Sequence, residues 1–167
     1  ACAQLRAQGV KAEEVDKIEL RVHPLVLELT GKKEPQDGLQ GKFSVYHGCA
    51  AGLIFGRAGE EEFADHIVTR EDVVALRRKV QAVVDTSVRE ESVYVTATLQ
   101  DGRSVQVHVE HAIGSLQRPM TDADLEAKFH NLADPILGES KVESVLDACW
   151  GLGQASNLQV LLKQLAP

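Results

Sequence analysis

At 167 residues, 44% hydrophobic and 26% charged, the chain has the composition of one globular domain with at most a short appendage. Its formal charge of −7 argues against a nucleic-acid partner, because an acidic surface repels phosphate backbones. No apolar run reaches the ~18 residues that span a bilayer and no secretory signal is visible, so a cytoplasmic setting without a membrane partner is expected.

The first residues, ACAQLRAQG, read as the tail of a helix stopping at Gly9. Ile18, Leu20 and Val22 then alternate with Lys17, Glu19 and Arg21, the pattern of a half-buried strand ending before Pro24. Residues 25–29 are apolar and fit either a helical turn or more strand, and residues 31–41 read as a polar loop. Ser44 is placed to cap a helix running to Phe55, with Gly56 ending it. Gly48, Ala50, Ala51 and Gly52 would let that helix approach a neighbour closely.

A second helix is predicted from Thr69, with Glu71 and Asp72 in its first turn. Its end is open, since residues 80–85 fit a strand equally well. Residues 92–111 alternate on both sides of Asp101-Gly102, a pair that favours a type I′ hairpin turn. Val93, Val95, Ala97 and Leu99 should share one face with Val105, Val107 and Val109. After a loop at 114–119, Thr121 and Asp124 form a capping box for a helix broken at Asp134-Pro135, with further helices near 141–150 and 158–165. The fold class expected is α/β (α+β): a mostly antiparallel sheet with helices on one face, followed by C-terminal helices.

Lys42, Ser44, Tyr46 and His47 form the most suggestive group. A helix N-terminus offers free N–H groups and partial positive charge, Lys42 adds a full charge, and His47 could bind an anion or carry a proton. Position alone favours a plainer reading, with Lys42 a solvated loop lysine and His47 a packed or exposed histidine. Arg118 lies in a loop that could meet a ligand or simply face solvent, and the run Glu60-Glu61-Glu62 reads as a solvated face. His108 and His111 point to opposite faces of a strand and make a poor metal pair. The three cysteines, Cys2, Cys49 and Cys149, form no CxxC pair and read as reduced thiols. No phosphate-loop, dinucleotide, nucleophile-elbow or HExxH motif occurs, and neither a metal nor an organic cofactor is expected.

The segments VDKIELRVHPLVLELTG, GLQGKFSVYHGCAAGLIFGRAG and HAIGSLQRPMTDADLEAKF, in this order and spacing, resemble the second domain of MmgE/PrpD proteins. That family includes 2-methylcitrate dehydratase, cis-aconitate decarboxylase and an iminodisuccinate epimerase, which act on small di- and tricarboxylates without metal or organic cofactor. The resemblance implies that residues 1–13 end a helix from a preceding helical domain. It makes residues 14–120 a small α/β domain, and residues 121–167 helices returning to the helical domain. It further implies a homodimer, with an active site between the two domains. Lys42 would hold a substrate carboxylate and His47, the catalytic candidate, would line the site from the small-domain side, with Ser44 and Tyr46 as unmapped helpers; Arg118 stands as a substrate-binding candidate on its loop position alone. The main acid/base groups of the family lie in the helical domain, so the chain by itself is expected to be inactive as a lyase. The alternative is a non-catalytic α/β module that binds a small acid or a protein partner.

Overall fold

The alternation at residues 15–22 folds as β1 (Val15–Val22), which buries Val15, Ile18, Leu20 and Val22 and turns Arg21 outward. A computed structural model describes residues 1–165, in two units: Ala1–Arg118 and the residues from Pro119 onward. In the first unit β1 is joined by β2 (Val80–Val84), β3 (Val93–Leu99) and β4 (Ser104–Val109) in the order β2-β1-β3-β4. β1 pairs antiparallel with β3, and β3 with β4, whereas β2 runs parallel to β1. The open choice at residues 80–85 thus falls to strand. The sheet is mixed because a parallel neighbour is reached only by a long crossover, here the helical residues between β1 and β2.

The register aligns Leu20 with Val95 and Val95 with Val107, so one face of the sheet is apolar across three strands. The other face carries Arg21, Tyr94 and His108 in one row and Glu19, Thr96 and Gln106 in the next. The helices pack on the apolar face. They are α1 (Cys2–Ala7), α4 (Val45–Phe55) and α6 (Glu71–Arg77), with α4 against both others. Ala50, Ala51 and Leu53 of α4 are fully buried. A Cβ on Gly52 would stand 3.2 Å from the Cys2 Cβ, which is why this helix is built of small residues. α2 (Pro24–Thr30), α3 (Gly38–Lys42) and α5 (Asp65–Val68) complete the crossover.

Several expectations are corrected. The polar stretch 31–41 is not all loop: Asp37 accepts the Gln40 N–H at 2.8 Å and starts α3. α6 begins at Glu71 with Arg70 as its N-cap, while Thr69 Oγ1 donates to the Asp65 carbonyl of α5. The hairpin tip is not a type I′ turn, which would need positive φ at Asp101 as well as Gly102. Only Gly102 has it, at +85°, and the Leu99 N–H to Arg103 carbonyl bond of 2.8 Å closes a three-residue loop with a glycine bulge. Asp101 uses its carboxylate to accept from Arg103 N–H and Nε at 3.0 and 2.6 Å.

The second unit holds α7 (Asp122–Leu137), α8 (Glu139–Trp150) and α9 (Gln159–Leu165). The Thr121–Asp124 capping box is present. Pro135 does not break α7: the helix gives up one backbone donor there and ends only at Gly138, with φ +80°. Of the expected segment 121–167, residues 166 and 167 lie outside the described residues. Among the described residues no helix is long and apolar enough to cross a membrane.

Candidate functional site

The α3–α4 corner is set by two successive caps. α3 ends at Lys42, Phe43 turns the chain, and Ser44 starts α4 by accepting the His47 N–H on its Oγ at 3.1 Å. The Phe43 carbonyl accepts the Lys32 N–H at 3.2 Å, which ties the corner to the chain after α2. The N-terminal end of an eleven-residue helix therefore stands beside a lysine whose side chain is half exposed.

Residues 57–63 fold back over this corner. Lys42 Nζ donates to both carboxylate oxygens of Glu60, at 2.9 and 3.1 Å. Glu62, by contrast, is buried. Its carboxylate accepts from Arg57 Nε and the Gly59 N–H, both at 2.8 Å. Burial pushes the Glu62 carboxyl up, but these two donors outweigh it and hold the group below the ordinary carboxylate range. The Glu62 carbonyl lies 2.8 Å from His47 Nε2. A carbonyl can only accept, so His47 Nε2 carries the proton and Nδ1 holds the lone pair. The ring is edge-on to Phe63, with centroids 5.0 Å apart. His47 Nδ1 is buried without a hydrogen-bond partner, and burial lowers the pKa of the ring.

The expected open cleft shared by Lys42 and His47 is not present in the described residues. Lys42 reaches solvent, but His47 is fully buried, because the 57–63 segment closes over it. Ser44 is also buried, and its Oγ already serves as the helix cap. Tyr46 borders a hollow of about 290 Å³ with Lys33, Glu34, Arg77 and Arg78. Arg118 is exposed and borders a different hollow, of about 270 Å³, with Gln4, His108 and His111. The sequence reading missed Arg57, Glu60 and Glu62. The triple glutamate looked uniformly solvated, and no periodicity marks the one carboxylate that turns inward to meet an arginine five residues earlier. It also missed Arg77, buried at the end of α6, where NH1 donates to the Val68 carbonyl at 2.9 Å.

A family profile described as MmgE/PrpD C-terminal domain matches residues 1–152. The curated relatives include 2-methylcitrate dehydratase of Escherichia coli K12, 25% identical over 126 residues, which is 69% of this chain and 26% of the relative. The 2-methylcitrate dehydratase of Salmonella typhimurium LT2 is 26% identical over the same length and shares. The chain spans about a quarter of the length of the curated relatives it matches.

Proposed function

The chain belongs to the MmgE/PrpD family, and on that premise we propose that it forms one wall of the active site of a lyase acting on a small di- or tricarboxylate, as the name of its 2-methylcitrate dehydratase relatives suggests. Residues 1–13 then end a helix of a preceding helical domain, residues 14–120 form the wall, and the helices from 121 return to that domain in a cytoplasmic homodimer. The reaction takes a proton and a hydroxyl from adjacent carbons, with neither metal nor organic cofactor.

The observation that carries this reading is the two-point grip of Lys42 on a carboxylate at the start of α4. Glu60 occupies the place that a substrate carboxylate would take. Exposed ion pairs of this kind are worth only ~0–1 kcal/mol, so a better-placed carboxylate displaces Glu60 at little cost. Lys42 is the substrate anchor, and Ser44 supports it by fixing the helix start. Tyr46 and Arg118 border separate hollows, neither of which includes Lys42, so they do not meet the same small molecule at this anchor.

The burial of His47 favours a division of labour in which this chain supplies anchoring and the helical domain supplies the proton transfer. His47 then acts as a positioning residue: it holds the Glu62 carbonyl, and with it the segment that carries Glu60.

Titrating the 167-residue chain with 2-methylcitrate, followed by amide chemical shifts, tests the anchor. Shifts should concentrate in residues 38–63. Lys42→Ala should weaken binding by about two- to fivefold, the worth of an exposed ion pair. Equal affinity in wild type and Lys42→Ala overturns the assignment.

A further inference from the structure

We infer that Cys2 and Cys49 form a reversible disulfide that fastens α1 to α4 when the protein meets a small peroxide. The two thiols sit on different helices, 47 positions apart in sequence, yet their Sγ atoms are 2.8 Å from each other. The helices are already in close contact there. Gly52 lies one turn along α4 from Cys49, and its missing side chain makes room for Cys2. On the same helix pair, Arg6 NH1 donates to the Leu53 and Ile54 carbonyls at 3.2 and 2.7 Å, which holds α1 in register against the end of α4. A disulfide needs the sulfurs at about 2.05 Å, so bond formation requires less than about 1 Å of closure between them.

The chemistry balances with hydrogen peroxide as the oxidant. The Cys2 thiolate attacks one peroxide oxygen, the O–O bond breaks, and hydroxide leaves and takes up the thiol proton as water. The Cys2 sulfenic acid so formed is attacked by Cys49, the S–S bond forms, and the sulfenic oxygen departs as a second water carrying the Cys49 proton. Two thiols lose two electrons and one peroxide gains them. Cys2 is the better first nucleophile, because its hydrogen bond with Cys49 draws its pKa down while the same contact pushes Cys49 up. Cys149, exposed in the second unit, is not part of this pair.

The test uses the full 167-residue chain carrying Cys149→Ser, treated with hydrogen peroxide, alkylated under denaturing conditions and digested with trypsin. Peptides 1–6 and 43–57 should appear joined, with a combined mass lower by two hydrogens, and should separate after dithiothreitol. Added Cys2→Ser or Cys49→Ser should each abolish the joined species. Closing a loop of this size should raise Tm by about 5–10 °C in the oxidised form, reversibly. Full alkylation of both cysteines after peroxide, sulfinic acids without a cross-link, or a cross-link that leaves Tm unchanged would overturn the inference.

Discussion

His47 gives the molecule a pH response that can be signed from its surroundings. Burial lowers its pKa below the ordinary value of 6.5, and its one bonded nitrogen donates to a carbonyl, an arrangement that needs no positive charge. Above that pH both folded and unfolded chains hold it neutral. Below it the unfolded chain takes up a proton that the folded chain resists, so stability falls as pH drops. The slope is at most about 1.4 kcal/mol per pH unit, the worth of one proton. Glu62, held below the usual carboxylate range, acts in a lower window and does not confuse the reading. Urea unfolding at pH 7, 6 and 5 should therefore show a steeper loss in wild type than in His47→Gln, which keeps a donor for the Glu62 carbonyl but does not titrate. Equal slopes in the two proteins would show that burial does not restrain His47.

Glycines at two element ends separate space from conformation. Gly102 at the β3–β4 tip has open space around its missing Cβ but a φ of +85°, so Gly102→Ala should cost about 1–2 kcal/mol through backbone strain alone, and Gly102→Asn less. Gly38, at the start of α3, has ordinary backbone geometry, but its Cβ would stand 2.1 Å from the Phe63 carbonyl oxygen. Gly38→Ala should thus push the 57–63 segment off the α3–α4 corner, at a cost of at least about 1–3 kcal/mol. Faster amide exchange at 59–63 in Gly38→Ala, but not in Gly102→Ala, is the expected signature; unchanged exchange would mean that the segment is held elsewhere. The two positions also mark what the sequence made legible. Alternation revealed β1, β3 and β4, and the Ser44 and Thr121 caps were readable because they act within one turn. The parallel pairing of β2, the closing of 57–63 over His47 and the inward turn of Glu62 depend on partners dozens of residues away or on a loop path. A local pattern carries no trace of either.

At the scale of the whole molecule, the second unit has more apolar surface than it can bury by itself. Val142 and Val145 are fully buried, but Leu132, Ile136, Trp150, Leu158, Leu162 and Leu165 are exposed, Ile136 by 73% and Leu162 by 61%. Leu125, Leu132 and Ile136 recur at intervals of seven and four along α7, the spacing of one helix face. An apolar patch beyond a few hundred Å² on a soluble monomer ordinarily marks a partner surface. Under the reading proposed above the partner is the helical domain, for which the relatives' additional length leaves room. The 167-residue chain should then self-associate: at tens of micromolar it should elute well above its 18.2 kDa, and Ile136→Lys with Leu162→Lys should return it toward a monomer. The same chain should not turn over 2-methylcitrate. Acid–base catalysis needs groups held within hydrogen-bond reach of the substrate from both sides, and with Lys42 as the proposed anchor and His47 enclosed this chain would offer only one side. Following double-bond absorbance after adding 2-methylcitrate decides the point. A rate well above background would place the proton-transfer groups within these residues and overturn the division of labour. A monodisperse monomer would show that the apolar face needs no partner.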